Sequence, residues 1–408
     1  MVRLPRRVCY HVQAGRHVMP GNRVLPPHEG MLITRGLQEW ACLLSQTLPF
    51  ETVARLLSWQ TQEAEVLSST TVRTLVRTHG QCIRQAEAAE VEALLKCPDL
   101  STLKPHLVPA QPPRRRPGWP AALNEAVEVA LEAKSGPPEG VSAADWERVL
   151  AARRQEASLS TEELRHLGPE LEANQVLVTA DEVLTRRPEK RRFWELRTAR
   201  IATQEGYRYL SGVGASFLQQ LLVLLLLCAG PRRKLLLIAD GARWIRSFFA
   251  EMLGNIPDKA MILDWYHLRK KCYQLCSLIC RGRKAKAHLL FVLYRQLWRG
   301  RVEEAVQVLE AYRPHAKRET ALDELIAYLQ QRRAFIPNYC QRRRERRYIG
   351  SGHGEKTNDL IVARRQKCKG MHWSLKTSDA LAALQTLMLN RGWELYWSHR
   401  QVLPLVAT

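Results

Sequence analysis

Residues 234–268 read KLLLIADGARWIRSFFAEMLGNIPDKAMILDWYHL. Lys234–Ala239 is an unbroken apolar run of strand length that stops at the turn signal Asp240-Gly241. Arg243–Leu253 then reads as a helix, and Ala260–Leu263 is a second apolar run that stops at Asp264. Strand, helix and strand within so short a span are the pattern of parallel neighbours joined by a crossover helix. Runs that are apolar at nearly every position suit strands covered on both faces.

Upstream, Val176–Ala180 is a short β-prone run ending at Asp181, and Phe193–Ala202 and Tyr207–Leu210 alternate as strands do. Ser216–Cys228 is a Leu-rich helix. The predicted order is strand, strand, strand, helix, strand, helix, strand, helix. That is a mixed α+β or α/β core whose sheet begins as a meander. Downstream, 268–350 reads as helical, Gly350-Ser351-Gly352-His353-Gly354 breaks the chain, and Glu355–Gln366 resumes as a helix. Residues 379–397 close with a helix rich in Leu and Trp.

The N-terminal part has another texture. Met31–Leu48, Phe50–Trp59 and Thr71–His79 read as helices, the last capped by Ser68-Ser69-Thr70 and ended by Gly80. A helix, a polar turn and a capped helix fit a helix-turn-helix, and an ordinary helical bundle fits equally well. Residues 97–120 carry Pro98, Pro105, Pro109, Pro112, Pro113, Pro117 and Pro120 and read as a linker. Residues 121–166 read as charged helices, and 1–30 show no clear element.

Composition narrows the class. The 408 residues carry 62 Lys+Arg against 40 Asp+Glu, a net charge of +22, and 46% are hydrophobic. Such a chain builds real cores, so a disordered basic tail is excluded, and a polyanion is the first partner to consider. The charge has an address. Residues 268–350 hold 20 Lys+Arg and 7 Asp+Glu, so +13 of the +22 lies there, densest at Arg342-Arg343-Arg344-Glu345-Arg346-Arg347. Ten cysteines without a CxxC pair do not make a disulfide scaffold. The apolar run Phe217–Ala229 is shorter than the ~20 residues of a bilayer span. A cytoplasmic protein with reduced thiols and no membrane partner is expected.

Asp181, Asp240 and Asp264 stand at the ends of apolar runs, where α/β sheets present ligands. Each alone fits a turn or a helix cap. Together they fit a hard-cation site, since two divalent ions need oxygen ligands converging from different elements. Glu355, opening a helix among Lys356, Arg364, Arg365, Lys367 and Lys369, is the candidate acid from a later element. Acting as a mere N-terminal dipole partner is its plainer reading. Glu182 competes with Asp181, and strand alternation puts the two on opposite faces.

Two rivals are weaker. Gly350–Thr357 is near a P-loop, but Glu355 stands where the second glycine belongs and no apolar strand precedes it. Cys272, Cys276 and Cys280 line one face of one helix, which cannot wrap a tetrahedral zinc.

Taken together, Asp240-Gly241-Ala242-Arg243-Trp244-Ile245, Ile262-Leu263-Asp264-Trp265-Tyr266-His267-Leu268, Glu355-Lys356-Thr357-Asn358, Ala363-Arg364-Arg365-Gln366-Lys367, Gly370-Met371-His372-Trp373-Ser374 and Trp393-Glu394-Leu395-Tyr396-Trp397 resemble insertion-sequence transposases of the DDE type. Asp264-x-x-His267 is similar to the C/D-x-x-H signature of the mutator-like superfamily, and Ala180-Asp181-Glu182-Val183-Leu184 fits the first acid. The likeness covers roughly residues 175–400.

The resemblance implies a ribonuclease H-like core interrupted by an all-α insertion. Catalytic and metal-binding residues would be Asp181, Asp240 and Glu355, with Asp264 and His267 in support and two Mg²⁺ or Mn²⁺ ions. Double-stranded DNA, as transposon terminal repeats and target, would be gripped by Arg342, Arg343, Arg344, Arg346, Arg347, Lys356, Arg364 and Arg365. At least a dimer is implied. The expected layout is a helical DNA-binding region at 1–96, linker and helices at 97–174, first core part at 175–267, basic insertion at 268–350 and the Glu-bearing part at 351–408. A domesticated DNA-binding protein without catalysis is the alternative.

Overall fold

The computed structural model describes residues 9–11, 16–18, 33–109, 123, 126–127, 129–130, 133, 135–157, 169–172, 174–189, 192–229 and 233–407. The fold is mixed α/β around a six-stranded mixed sheet. Strands β1 (Cys9–His11) and β2 (Arg16–Val18) form a separate antiparallel ribbon of three residue pairs. Residues 1–30 therefore do contain an element, one too short for periodicity to reveal.

Three helices follow: α1 (Arg35–Ser45), α2 (Phe50–Thr61) and α3 (Ser69–Leu95). Helix α3 is capped by Ser68 as expected, but it runs on through Gly80. The reason is packing. A Cβ at Gly80 would stand 2.4 Å from the Ala380 Cα, so the missing side chain lets two helices touch, and this offsets glycine's helix cost of ~1 kcal/mol. The proline-rich stretch is not all linker. Val108–Pro109 (β3) pairs with the sheet as its edge strand, and Pro105 bridges Val406. Proline is tolerated at an edge because no ladder donor is needed there. The remainder, 110–122, lies outside the described residues apart from the helix-like positions beyond it. Helix α4 (Ala143–Ala157) is the described part of the charged helical stretch; 158–168 also lie outside.

The main sheet comprises β4 (Gln175–Arg186), β5 (Phe193–Ala202), β6 (Gly206–Gly212), β7 (Lys234–Ala239) and β8 (Lys259–Leu263), in the order β3-β6-β5-β4-β7-β8. Strands β4, β5 and β6 form an antiparallel meander, and β4, β7 and β8 run parallel. One face, with Val176, Val178, Leu235 and Leu237, buries against α5 (Gly214–Ala229). The other, with Leu177, Leu236, Ile238 and Ile262, carries the acids. Helix α6 (Arg243–Ser247) continues into a π-helical turn, Phe248–Met252, and crosses from β7 to β8.

The chain then leaves the sheet as α7 (Trp265–Ile279), α8 (Arg283–Trp298), α9 (Val302–Tyr312), α10 (Glu319–Gln331) and α11 (Tyr339–Arg344). These helices share their own core, and Cys272, Cys276 and Cys280 are packing residues in it. Excursion and return meet at one point: the Trp265 N–H donates to the Ile349 carbonyl at 3.0 Å. Helix α12 (Gly352–Asn358) begins inside the glycine-rich break, and runs through a π-helical turn, Asp359–Ala363, to Gln366. The expected closing helix is two, α13 (Leu375–Leu389) and α14 (Trp393–His399), parted at Asn390–Gly392.

Helices α1–α3 pack on α13 and α14 in one shared core. Arg84 of α3 reaches Asp379 at 2.9 Å and Ser211 of β6 at 3.0 Å, tying the helical layer to the sheet. No helix among the described residues is long and apolar enough to cross a membrane.

Candidate acidic site at the ends of the parallel strands

Register brings the three aspartates into one row. Thr179 pairs with Ile238, and Ile238 with Ile262. Two residues further along each strand stand Asp181, Asp240 and Asp264, and two residues preserve the face. Asp181 is not at a strand end, however. Strand β4 outruns β7 and continues to Arg186 paired with β5 alone, Asp181 lying opposite Thr198.

Asp181 is mostly buried, with one carboxylate oxygen accepting from the Glu182 N–H at 2.7 Å and the other from Asn358 Nδ2 of α12 at 2.5 Å. Asn358 is held the right way round because its Oδ1 accepts from the Thr198 hydroxyl. Burial, and then the charge of Asp240, push the Asp181 carboxyl up to about 6, although the Glu182 N–H opposes this. Asp240 caps its own turn, accepting from the Ala242 N–H at 2.8 Å. Gly241 follows at φ +76°, a left-handed conformation that glycine adopts without strain.

Glu182 faces the other way. Its Oε2 accepts from Trp244 Nε1 at 2.9 Å, and burial, followed by Glu195, raises its carboxyl above the ordinary range. Alternation along β4 thus hands Asp181 to the α12 side and Glu182 to α6.

Asp264, 1% exposed, is an anchor. It caps α7 by accepting from the Tyr266 N–H at 2.6 Å and the His267 N–H at 3.1 Å. Its other oxygen accepts from the Ser351 N–H at 2.5 Å and from the Ser351 hydroxyl. One carboxylate therefore fastens both the exit and the return of the helical excursion. These donors, with His267, hold its carboxyl down to about 2 against the cost of burial. His267 Nδ1 lies 3.6 Å from Asp264 Oδ2, an ion-pair contact rather than a hydrogen bond. Asp264 raises the imidazole's pKa, and the more distant charges of Asp181 and Asp240 add to the effect.

Glu355 is exposed on α12. It is four residues after Ser351, which holds Asp264, and three before Asn358, which holds Asp181. Those spacings put all three on one helical stripe. Helix α12 lies flat on the sheet here, since Gly354 abuts Thr179, where a Cβ would be 3.3 Å from the Thr179 Cβ. Among the described residues no group of three or more His, Cys, Asp or Glu side chains is gathered closely enough to hold a metal. Asp181 and Asp240 are brought within reach of each other's charge; Glu355, exposed on α12, does not complete a three-acid group with them.

The basic residues divide. Arg343 and Arg344 are exposed. Arg342 donates to the Tyr348 carbonyl at 2.9 Å, and Arg346 and Arg347 pair with Glu170 and Glu172 just ahead of β4. Lys356 and Arg364 are exposed, the latter 3.3 Å from Asp359. Arg365 corrects the sequence reading. It is 5% exposed, donates to the Ser45 carbonyl at 2.9 Å and lies against the rings of Trp373 and Phe50, so it clamps α1 to the core and is not open to DNA. A helix with one side buried must turn some of its cations inward, and consecutive arginines do not reveal which.

Sequence reasoning passed over Asn358 and Ser351 as site residues, although their spacing to Glu355 was a readable signal. It had none for Arg246 and Arg332, which only the fold brings near Asp240. No family model matches this chain, and no curated protein matches it significantly.

Proposed function

We propose that the chain is a metal-dependent DNA transposase of the DDE type, cutting transposon ends and joining them to target DNA. The observation that carries this reading is the row of aspartates just past the last parallel pairs of β4, β7 and β8, with α12 laid across it and Glu355 in sequence between the residues that hold Asp264 and Asp181. Supporting it, the strand order β6-β5-β4-β7-β8, antiparallel then parallel, is the one a ribonuclease H-like core requires. The helical excursion rooted at Asp264 stands where an all-α insertion is expected.

The donor set suits Mg²⁺ or Mn²⁺. Asp181 and Asp240 offer hard oxygens, and an Asp181 carboxyl raised by burial and by the charge of Asp240 is relieved by a divalent cation. Asp181, Asp240 and Glu355 would hold two such ions. When bound, they supply activation of a water or 3′-hydroxyl and stabilisation of the leaving oxygen. The chain's own groups set up that chemistry. Asn358 and the Glu182 N–H fix the Asp181 carboxylate, leaving it no rotational freedom to lose. The Ala242 N–H occupies one oxygen of Asp240 and leaves the other for a ligand. Asp264 keeps the insertion and α12 in register with the strands, and His267, 3.6 Å from it, also feels the charges of Asp181 and Asp240. Arg343 and Arg344 offer exposed charge to backbone phosphates, in duplex DNA comprising the terminal repeats and the target. Pairing two ends calls for at least a dimer, acting at the nucleoid.

End-labelled duplexes tiled across the DNA flanking the gene, incubated with Mg²⁺, test this. Nicks leaving 3′-hydroxyls, reduced about a thousandfold or more by Asp240→Ala and by Glu355→Ala, are expected. Cleavage that survives both substitutions contradicts the site, and binding without any cleavage leaves the domesticated DNA-binding protein as the reading.

A further inference from the structure

Two arginines behind Asp240 lack the partners that buried cations require. Arg332, at the end of α10, reaches back from the helical excursion to the turn after β7, where its Nη2 donates to the Gly241 carbonyl at 3.2 Å. Its guanidinium lies 4.1 Å from the Tyr328 ring centroid. The fit against Gly241 is close, since a Cβ there would lie 3.1 Å from Arg332 Nε. That Nε is buried and makes no hydrogen bond. Arg246, in the last turn of the short helix α6, likewise has a buried, unbonded Nε. Among the described residues neither side chain has an ion-pair partner within 4.0 Å, Asp240 included. The two charges are near enough to repel: Arg246 acts to lower the pKa of Arg332, after burial itself, and Asp240 acts to raise it.

Other arginines with little exposure are met by acids, as Arg84 and Arg346 are, or by several backbone carbonyls, as Arg208 is by those of His106, Leu403 and Pro404. Two half-buried guanidiniums without a counter-charge are costly unless an anion joins them. A guanidinium whose remaining N–H groups are free, and whose plane is fixed by an aromatic face and a carbonyl, is preorganised for phosphate.

We infer that Arg246 and Arg332 form a phosphate-binding pair beside Asp240, taking a backbone phosphodiester next to the one that reacts. The assignment of that phosphate to DNA rests on the transposase reading; the anion site itself does not. Arg332 comes from the insertion and Arg246 from the core, so a bound phosphate would also bridge the two. Neither lies in the densest basic run, whose cations are partly neutralised by Glu170 and Glu172.

The full chain supplies both tests. In the first, thermal unfolding is followed with inorganic pyrophosphate at constant ionic strength. The wild type is expected to gain several degrees, and Arg246→Gln with Arg332→Gln to gain none, while Arg332→Lys retains part. An equal gain in the double variant, or none in the wild type, overturns the pair. In the second, duplex DNA binding is measured against KCl without divalent metal. The double variant is expected to bind about tenfold or more weakly, with the slope of log K on log salt smaller by about 1. Pyrophosphate stabilisation without DNA binding keeps the anion site and rejects DNA as its source. DNA binding with an unchanged slope in the double variant keeps the DNA reading and rejects the pair. Circular dichroism of each variant checks folding; should the double variant unfold, the single Gln variants read the same slope.

Discussion

Asp181 and Asp264 stand in the same row of one sheet, yet their surroundings oppose each other. Asp264 is almost fully buried and accepts from four donors, so its carboxyl is held near 2. Asp181 accepts from two and faces Asp240, so its carboxyl rises to about 6. The first is satisfied by the protein itself and works as an anchor. The second keeps unspent affinity for positive charge, which is what a ligand-binding acid needs.

The comparison breaks most visibly at the anchor. Asp264→Ala strands the donors of Tyr266, His267 and Ser351 and frees both ends of the excursion, so a loss of about 3 kcal/mol or more in urea unfolding is expected. Because the folded pKa lies below the ordinary 3.8, this stability is present above that value and fades as pH falls towards 2. A loss under about 1 kcal/mol would make the capping network ornamental.

Asp181 has the opposite sign. Its folded pKa lies above 3.8, so ionisation costs stability, fully felt above about 6 and absent well below 3.8. In EDTA, Asp181→Asn is therefore expected to be more stable than wild type near pH 8 by about 1–2 kcal/mol. The gain is below the full linkage because one amide oxygen cannot serve two donors. It should reverse near pH 4, where wild-type Asp181 is largely neutral. Parallel stability profiles for the two proteins across that range would remove the contrast.

Asn358→Ala removes the donor to Asp181 and leaves the buried Thr198 hydroxyl without its acceptor, costing about 1–2 kcal/mol and raising the Asp181 carboxyl further. Titration of that carboxyl by NMR checks the direction. The smallest effect belongs to Glu182→Gln. The amide oxygen still accepts from Trp244, so stability should move by less than about 0.5 kcal/mol and Mn²⁺ affinity by less than about twofold. A larger loss of affinity would reassign the first acid to Glu182.

Much of this contrast was legible in the chain. The apolar runs at 234–239 and 260–263 give their strands within a residue, and each run's aspartate falls where register puts it. Asp181 was harder, because β4 passes it: antiparallel pairing with β5 sustains a strand after the parallel partner has ended, and alternation with polar residues hides that. Gly80 reads as a helix stop from local propensity, yet a contact with Ala380, 300 residues away, overrides it. Arg365 looks like one more basic residue in its run until Ser45 and Trp373 close over it. What the sequence hides in each case is a tertiary partner, and Arg332 beside Gly241 is the same lesson at the site itself.

The most direct test is a calorimetric titration of Mn²⁺ into the full chain near neutral pH, comparing wild type, Asp181→Asn, Asp240→Asn and Glu182→Gln. The expected result is binding in wild type and Glu182→Gln, weakened about tenfold or more in both aspartate variants. Binding of equal strength in all four, or in none, would contradict a divalent-cation site built on Asp181 and Asp240.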